Sequence, residues 1–172
     1  MGFRDTSLLC KIVLILLGLC LIIELIGFAI PFWYAISGPD VIVYTGLWMG
    51  CVKRGITVEC GHIEDKELPD WFRAVRAFST LSWLFFLAAL VLVLVFMFLM
   101  YSKKIVYLIV VCLSFAGAFC ALISFAVFVG RSADEAKEHL SASFGLTIVA
   151  FILGLITGVL GILDFSWFSS QK

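Results

Sequence analysis

Polar residues are scarce along this chain, and they are gathered rather than scattered. Four stretches, roughly 8–30, 78–101, 105–129 and 141–163, are almost wholly apolar. Wound as helices at about 1.5 Å per residue, each is long enough to cross the ~30 Å hydrocarbon core of a bilayer. The charged residues fall mainly in 31–77 and 130–140, and Ser102-Lys103-Lys104 makes a tight basic break between the second and third runs. This pattern predicts four membrane helices in one domain spanning 1–172, with a large and a short loop on one face.

Inside the large loop the pattern changes from long apolar runs to short β-prone ones. Val41 to Tyr44, Leu47 to Val52 and Ile56 to Cys60 are each rich in β-branched or aromatic residues, and Gly46 and Gly55 interrupt them. At least three short strands are expected. Cys51 and Cys60 flank Gly55, so the last two strands read as a hairpin that a disulfide could close. A bare hairpin is marginal in water and needs a third strand and a surface to lie on. The helix ends provide one, with Trp33, Tyr34 and Trp48 suited to the membrane interface. Pro69 then fits the first turn of a helix, with Asp70 at the positive end of its dipole. No breaker separates Trp71 from Phe78, so this helix should run straight into the second span.

Composition agrees with a membrane class: 63% of residues are hydrophobic, 14% are charged, and mean hydropathy is +1.17. The first run exceeds a signal-peptide core and leads to Pro31 and Trp33 rather than to a small-residue cleavage site, so it is expected to stay as a helix. Four crossings put both termini on one side. A persistent disulfide requires an oxidising compartment, which places the large loop outside and the termini in the cytosol. The basic residues argue the other way, with seven Lys/Arg in the outer loops against Arg4, Lys11, Lys103, Lys104 and Lys172 inside. The cysteines decide the orientation. Net charge is zero and no basic stripe exists, so nucleic acid is excluded as a partner; the chain has no asparagine and so no N-glycosylation acceptor. Cys10, Cys20, Cys112 and Cys120 lie in the apolar runs and read as small buried hydrophobes, Cys10 being also a candidate for palmitoylation. Gly2 meets the loose myristoylation pattern.

Pro31-Phe32-Trp33 after the first span, Gly46-Leu47-Trp48 followed by Cys51 and Cys60, and Arg76 at the head of the second span together resemble the superfamily of claudins, epithelial membrane proteins and peripheral myelin proteins. The resemblance covers essentially the whole chain. It implies a left-handed four-transmembrane-helix bundle capped by a small extracellular antiparallel β-sheet, with Cys51 and Cys60 bonded. Trp33, Gly46, Leu47, Trp48 and Arg76 are the matching signature positions. The sequence ends at Phe168-Ser169-Ser170-Gln171-Lys172 without the palmitoylatable cysteines and PDZ-binding motif of typical claudins, which is closer to the short-tailed branch.

Chemistry-bearing residues are few. Glu24 is an acidic residue well inside a span, expected either to meet an ion or partner or to sit bonded near the outer interface. Asp164 is expected to be interfacial. Gly154 and Gly158, with Gly161 beyond, permit close helix approach, and Gly117 with Ser114, Ala118 and Ala121 offers a matching small surface. Packing within one bundle is the simpler use. In the outer loop Lys53, Arg54, Glu59, Glu64 and Asp65 are possible pore or partner contacts. Five basic and six acidic residues between Pro31 and Arg76 nearly cancel, which argues against a ring of one sign. His62 and His139 lie in different loops, and no catalytic, metal or cofactor set is evident. The expectation is a non-enzymatic plasma-membrane protein of cell contacts, in touch with the lipid bilayer, forming homo-oligomers in cis and in trans. The competing class is a paracellular channel former or an auxiliary subunit of an ion channel.

Overall fold

A computed structural model describes residues 6–64, 68–99, 103–132 and 141–170. In chain order the elements are α1 (Leu8–Ala29), β1 (Tyr34–Ser37), β2 (Val41–Thr45), β3 (Met49–Arg54), β4 (Thr57–His62), α2 (Asp70–Phe98), α3 (Lys104–Arg131) and α4 (Ala142–Ser170). All four helices are long and apolar enough to cross a membrane. As expected, α2 runs without a break from Asp70 into its apolar stretch. The fourth helix overruns the predicted span, to Ser170.

Each helix buries one seam. Along α1 it is Cys10, Val13, Leu17, Cys20, Glu24 and Gly27; along α2, Phe72, Val75, Ser79, Ser82, Phe86, Ala89, Val93 and Phe96. On α3 it is Tyr107, Val110, Ser114, Gly117, Ala121, Ser124 and Phe128, and on α4 Ser143, Thr147, Ala150, Gly154, Thr157, Gly161 and Asp164. The steps alternate between three and four residues throughout. That is the 3.5-residue period of helices wound left-handedly about one another. The helices close a ring in which α1 packs on α2, α2 on α3, α3 on α4 and α4 on α1.

The glycines of the seam admit aromatic rings. A Cβ at Gly117 would lie 2.9 Å from the Phe86 ring and one at Gly154 2.8 Å from it, while at Gly158 it would meet Phe115 at 2.7 Å. Phe86 thus fills the bundle centre, seated against α3 and α4 at once. At this depth the small residues are occupied by the chain's own side chains.

The sheet has four antiparallel strands in the order β1-β2-β3-β4, one more than the minimum read from the sequence. The added strand, Tyr34–Ser37, pairs with β2 from Tyr34↔Thr45 to Ser37↔Ile42. Its signal is short, an apolar Tyr34-Ala35-Ile36 before the Gly38-Pro39 turn. At the other edge Arg54 pairs with Thr57, leaving Gly55 and Ile56 as a two-residue loop. Gly55 has φ +58 and Ile56 does not have positive φ, the pattern of a II′ hairpin with glycine first.

Candidate functional site

The sheet is tied to the bundle from both sides of the chain. After α1 the segment Pro31-Phe32-Trp33 satisfies two helix ends at once. Four N–H groups at the start of a helix and four carbonyls at its end lack intrahelical partners. Entering α4, the Ser141 N–H donates to Trp33 O at 3.0 Å and the Ser143 N–H to Phe32 O at 2.9 Å. Near the end of α1 the Trp33 indole N–H donates to Gly27 O at 3.0 Å. Trp33 is completely buried, its ring edge-on to Phe128 at 4.9 Å and to Phe144 at 6.1 Å. It therefore sits beneath the sheet and not at the lipid interface, because its polar N–H has a helix carbonyl to bond.

Gly46 follows from the same junction. A Cβ there would stand 2.5 Å from Pro31 Cα and 2.8 Å from Ile30 O, both backbone atoms that cannot swing away. Leu47, fully buried, turns its carbonyl to α2, where Arg76 Nε donates to it at 2.6 Å. Arg76 Nη2 donates to Ile63 O at 3.2 Å. The same guanidinium lies over the Trp48 ring at 4.8 Å and the Phe72 ring at 5.4 Å. Trp48 in turn meets Phe28 of α1 edge-on at 5.2 Å. Gly46, Leu47, Trp48 and Arg76 thus form one joint, in which a buried cation is held by neutral carbonyls and ring faces.

Cys51 and Cys60 stand directly opposite in the β3–β4 register and are bonded. Beyond that cross-link β3 stays paired with β2 as far as Val41↔Arg54, while β4 forms the exposed edge of the sheet. Ile56 at the hairpin tip is 100% exposed and Val58 56%. Arg54, Glu59 and Glu64 are exposed and Lys53 is partly so. Asp65 and His139 lie outside the described residues. Among the described residues no cluster of three or more metal-ligating side chains occurs.

Glu24 faces inward: it is 1% exposed on the α1 seam, beside Ser82 of α2. The two groups are close enough to interact, but among the described residues neither carboxyl oxygen nor the Ser82 hydroxyl makes a well-formed hydrogen bond. Asp164 is buried beside the start of α1, accepting from Ser7 Oγ at 2.6 Å. Cys10 is buried inside the bundle, which turns its thiol away from a palmitoyl donor, whereas Cys112 is exposed on the outside of α3. Sequence reasoning passed over Ile56, Ser82 and Arg73. Ile56 was detectable as a large apolar residue in a two-residue turn, where a polar one is usual.

Four membrane helices with a disulfide-closed sheet on one end define a multi-pass tetraspan membrane protein. The sequence profile of the PMP-22/EMP/MP20/Claudin family matches residues 6–161, and the chain belongs to that family. None of the curated proteins compared matches it significantly.

Proposed function

We propose that this protein works at the plasma membrane, with both termini in the cytosol and the sheet outside, as a non-enzymatic component of cell-cell contacts. It assembles laterally and meets an opposed surface through the sheet. The observation that carries this reading is the fully exposed Ile56 at the hairpin tip, with Val58 beside it, on a sheet fixed by a disulfide and by Arg76. An apolar tip on a rigid platform is costly to leave in water and gains when an opposing protein covers it. The disulfide favours an oxidising exterior for this end.

The charges of the platform are mixed in sign, Lys53 and Arg54 against Glu59 and Glu64. A charge-selective path needs a local excess of one sign in a narrow passage. The test pairs two measurements on claudin-deficient epithelial cells expressing the protein: aggregation, and the dilution potential across the monolayer. Increased aggregation that Ile56→Asp abolishes, with little ion preference, is expected. A large cation or anion preference that moves when Lys53, Arg54, Glu59 or Glu64 is neutralised overturns adhesion in favour of a paracellular channel.

A further inference from the structure

The 29 residues of α2 are about 43 Å long, roughly 13 Å more than the hydrocarbon core. Its apolar stretch begins near Phe78. The first two turns, Asp70 to Ala77, therefore stand at headgroup depth on the sheet-bearing end. Arg73, Arg76, Ala77 and Thr80 share one helix face there, by their spacing of three, four and seven. Together with Trp48 they line a cavity of about 450 Å³ between sheet and helix.

We propose that this cavity binds the phosphate of a membrane phospholipid. Among the described residues its lining includes Arg73 and Arg76 and no acidic residue. Arg73 Nε and Nη2 both donate to Leu68 O, at 3.3 and 3.2 Å, which fixes the guanidinium in place. Nη2 also meets Asp70 at 3.3 Å, but that carboxylate is 96% exposed, so water weakens its hold on Arg73. Nη1 has no partner among the described residues. Trp48 contributes its ring to the lining, its own indole N–H being buried. Thr80 Oγ1 donates its proton to Arg76 O at 2.7 Å. The group open to a ligand is thus the Arg73 guanidinium, a positively charged donor, which selects an anion with several acceptor oxygens. Ala77, small and exposed, lines the same cavity.

What lies below the cavity distinguishes a lipid from a free anion. On the same stripe of α2, Leu81 and Leu84 are 41% and 44% exposed, one and two turns deeper. A headgroup seated at Arg73 would lay an acyl chain along these two leucines. Charge, depth and apolar track coincide on one ligand.

The experiment uses the full chain in a neutral detergent, with native mass spectrometry reading bound lipid. The probes are palmitoyl-oleoyl phosphatidylcholine, the diacylglycerol with the same chains, and inorganic phosphate. The phospholipid should bind and the diacylglycerol should bind about tenfold more weakly, since the charge-assisted hydrogen bonds are lost. Arg73→Gln should cost a similar factor by removing the charge. Ala77→Leu should do the same by taking up space in the cavity, and because Ala77 is exposed the variant folds even if the arginine variant does not. Equal binding of diacylglycerol, full displacement by millimolar inorganic phosphate, or unchanged affinity in Ala77→Leu would overturn the site.

Discussion

Ser7 and Asp164 are 157 residues apart in sequence, and the serine hydroxyl donates to the carboxylate at 2.6 Å. Ser7 also caps α1, its Oγ accepting from the Cys10 N–H at 3.0 Å. One hydroxyl thus closes a helix start and ties the first helix to the last, at the end of the bundle opposite the sheet. Tyr107 of α3 stands beside the same carboxylate. Ser7→Ala removes the cap and leaves a buried carboxylate short of a donor. A loss of about 1–3 kcal/mol is expected, seen as a lower thermal unfolding midpoint in detergent. Asp164→Asn keeps an acceptor for Ser7 and should cost less. If both variants melt with the unaltered protein, the contact contributes nothing to stability.

The disulfide closes a short ring. For so few residues the loss of unfolded-chain entropy corresponds to about 2–3 kcal/mol. Cys51→Ser and Cys60→Ser should therefore behave alike, both being retained before the cell surface. Surface biotinylation measures this; normal levels of either variant would show that the hairpin holds without the bond.

At Arg76 the geometry separates charge from shape. Two donors in a planar fork reach Leu47 O and Ile63 O while the plane lies over Trp48. A lysine has the charge but cannot reproduce the fork or the stacking. Arg76→Lys should lose most of what Arg76→Ala loses, about 2–4 kcal/mol for breaking a buried charged hydrogen-bond pair. Limited proteolysis of the sheet in detergent reports it, and a lysine variant as resistant as the parent would mean that charge alone holds the joint.

Gly46→Ala tests the crossing of the chain over Pro31. The added methyl meets backbone on two sides, so relief requires moving either the sheet or the end of α1. Overpacking of this kind costs about 1–3 kcal/mol. A matched Gly61→Ala, where nothing stands within 4 Å, should be nearly silent in the same melting assay. Equal effects at the two glycines would remove the steric explanation.

The joint was largely legible in the sequence because it is built of residues with few alternatives: a glycine pressed on backbone, two cysteines in register, an arginine at a helix head. The bundle interior was less so. In water an apolar stripe marks the buried face, but here lipid and core are both apolar, so Ile15, Ile22 and Leu25 on the outside of α1 are as hydrophobic as Val13 and Leu17 within. What marks the seam is small and polar residues recurring by three and four: Ser79 and Ser82, Ser114, Gly117 and Ser124, Thr147, Gly154 and Thr157. Ser79 and Ser124 share a 2.6 Å hydrogen bond between α2 and α3, a contact that neither residue reveals alone. Asp164 escaped for the same reason. Its donor lies at the far end of the chain, where sequence neighbourhood gives no sign of it.

Glu24 gives the sharpest test of whether a residue is present for stability. It occupies a seam position that Val, Leu or Gly fills elsewhere on α1, and its oxygens and the Ser82 hydroxyl face each other without a hydrogen bond. A buried polar group left unpaired costs about 1–3 kcal/mol, and more when charged. Leucine is apolar and close in volume. Glu24→Leu should raise the thermal unfolding midpoint in detergent, while Glu24→Gln, which keeps the shape and the polarity, should change it little. A lower midpoint for the leucine variant would show that the carboxyl is bonded in the folded bundle and helps to hold it. A higher midpoint combined with weaker cell aggregation would mean that the carboxyl is kept for function at the expense of packing, because only a working requirement retains an unpaired acid on an otherwise closed seam.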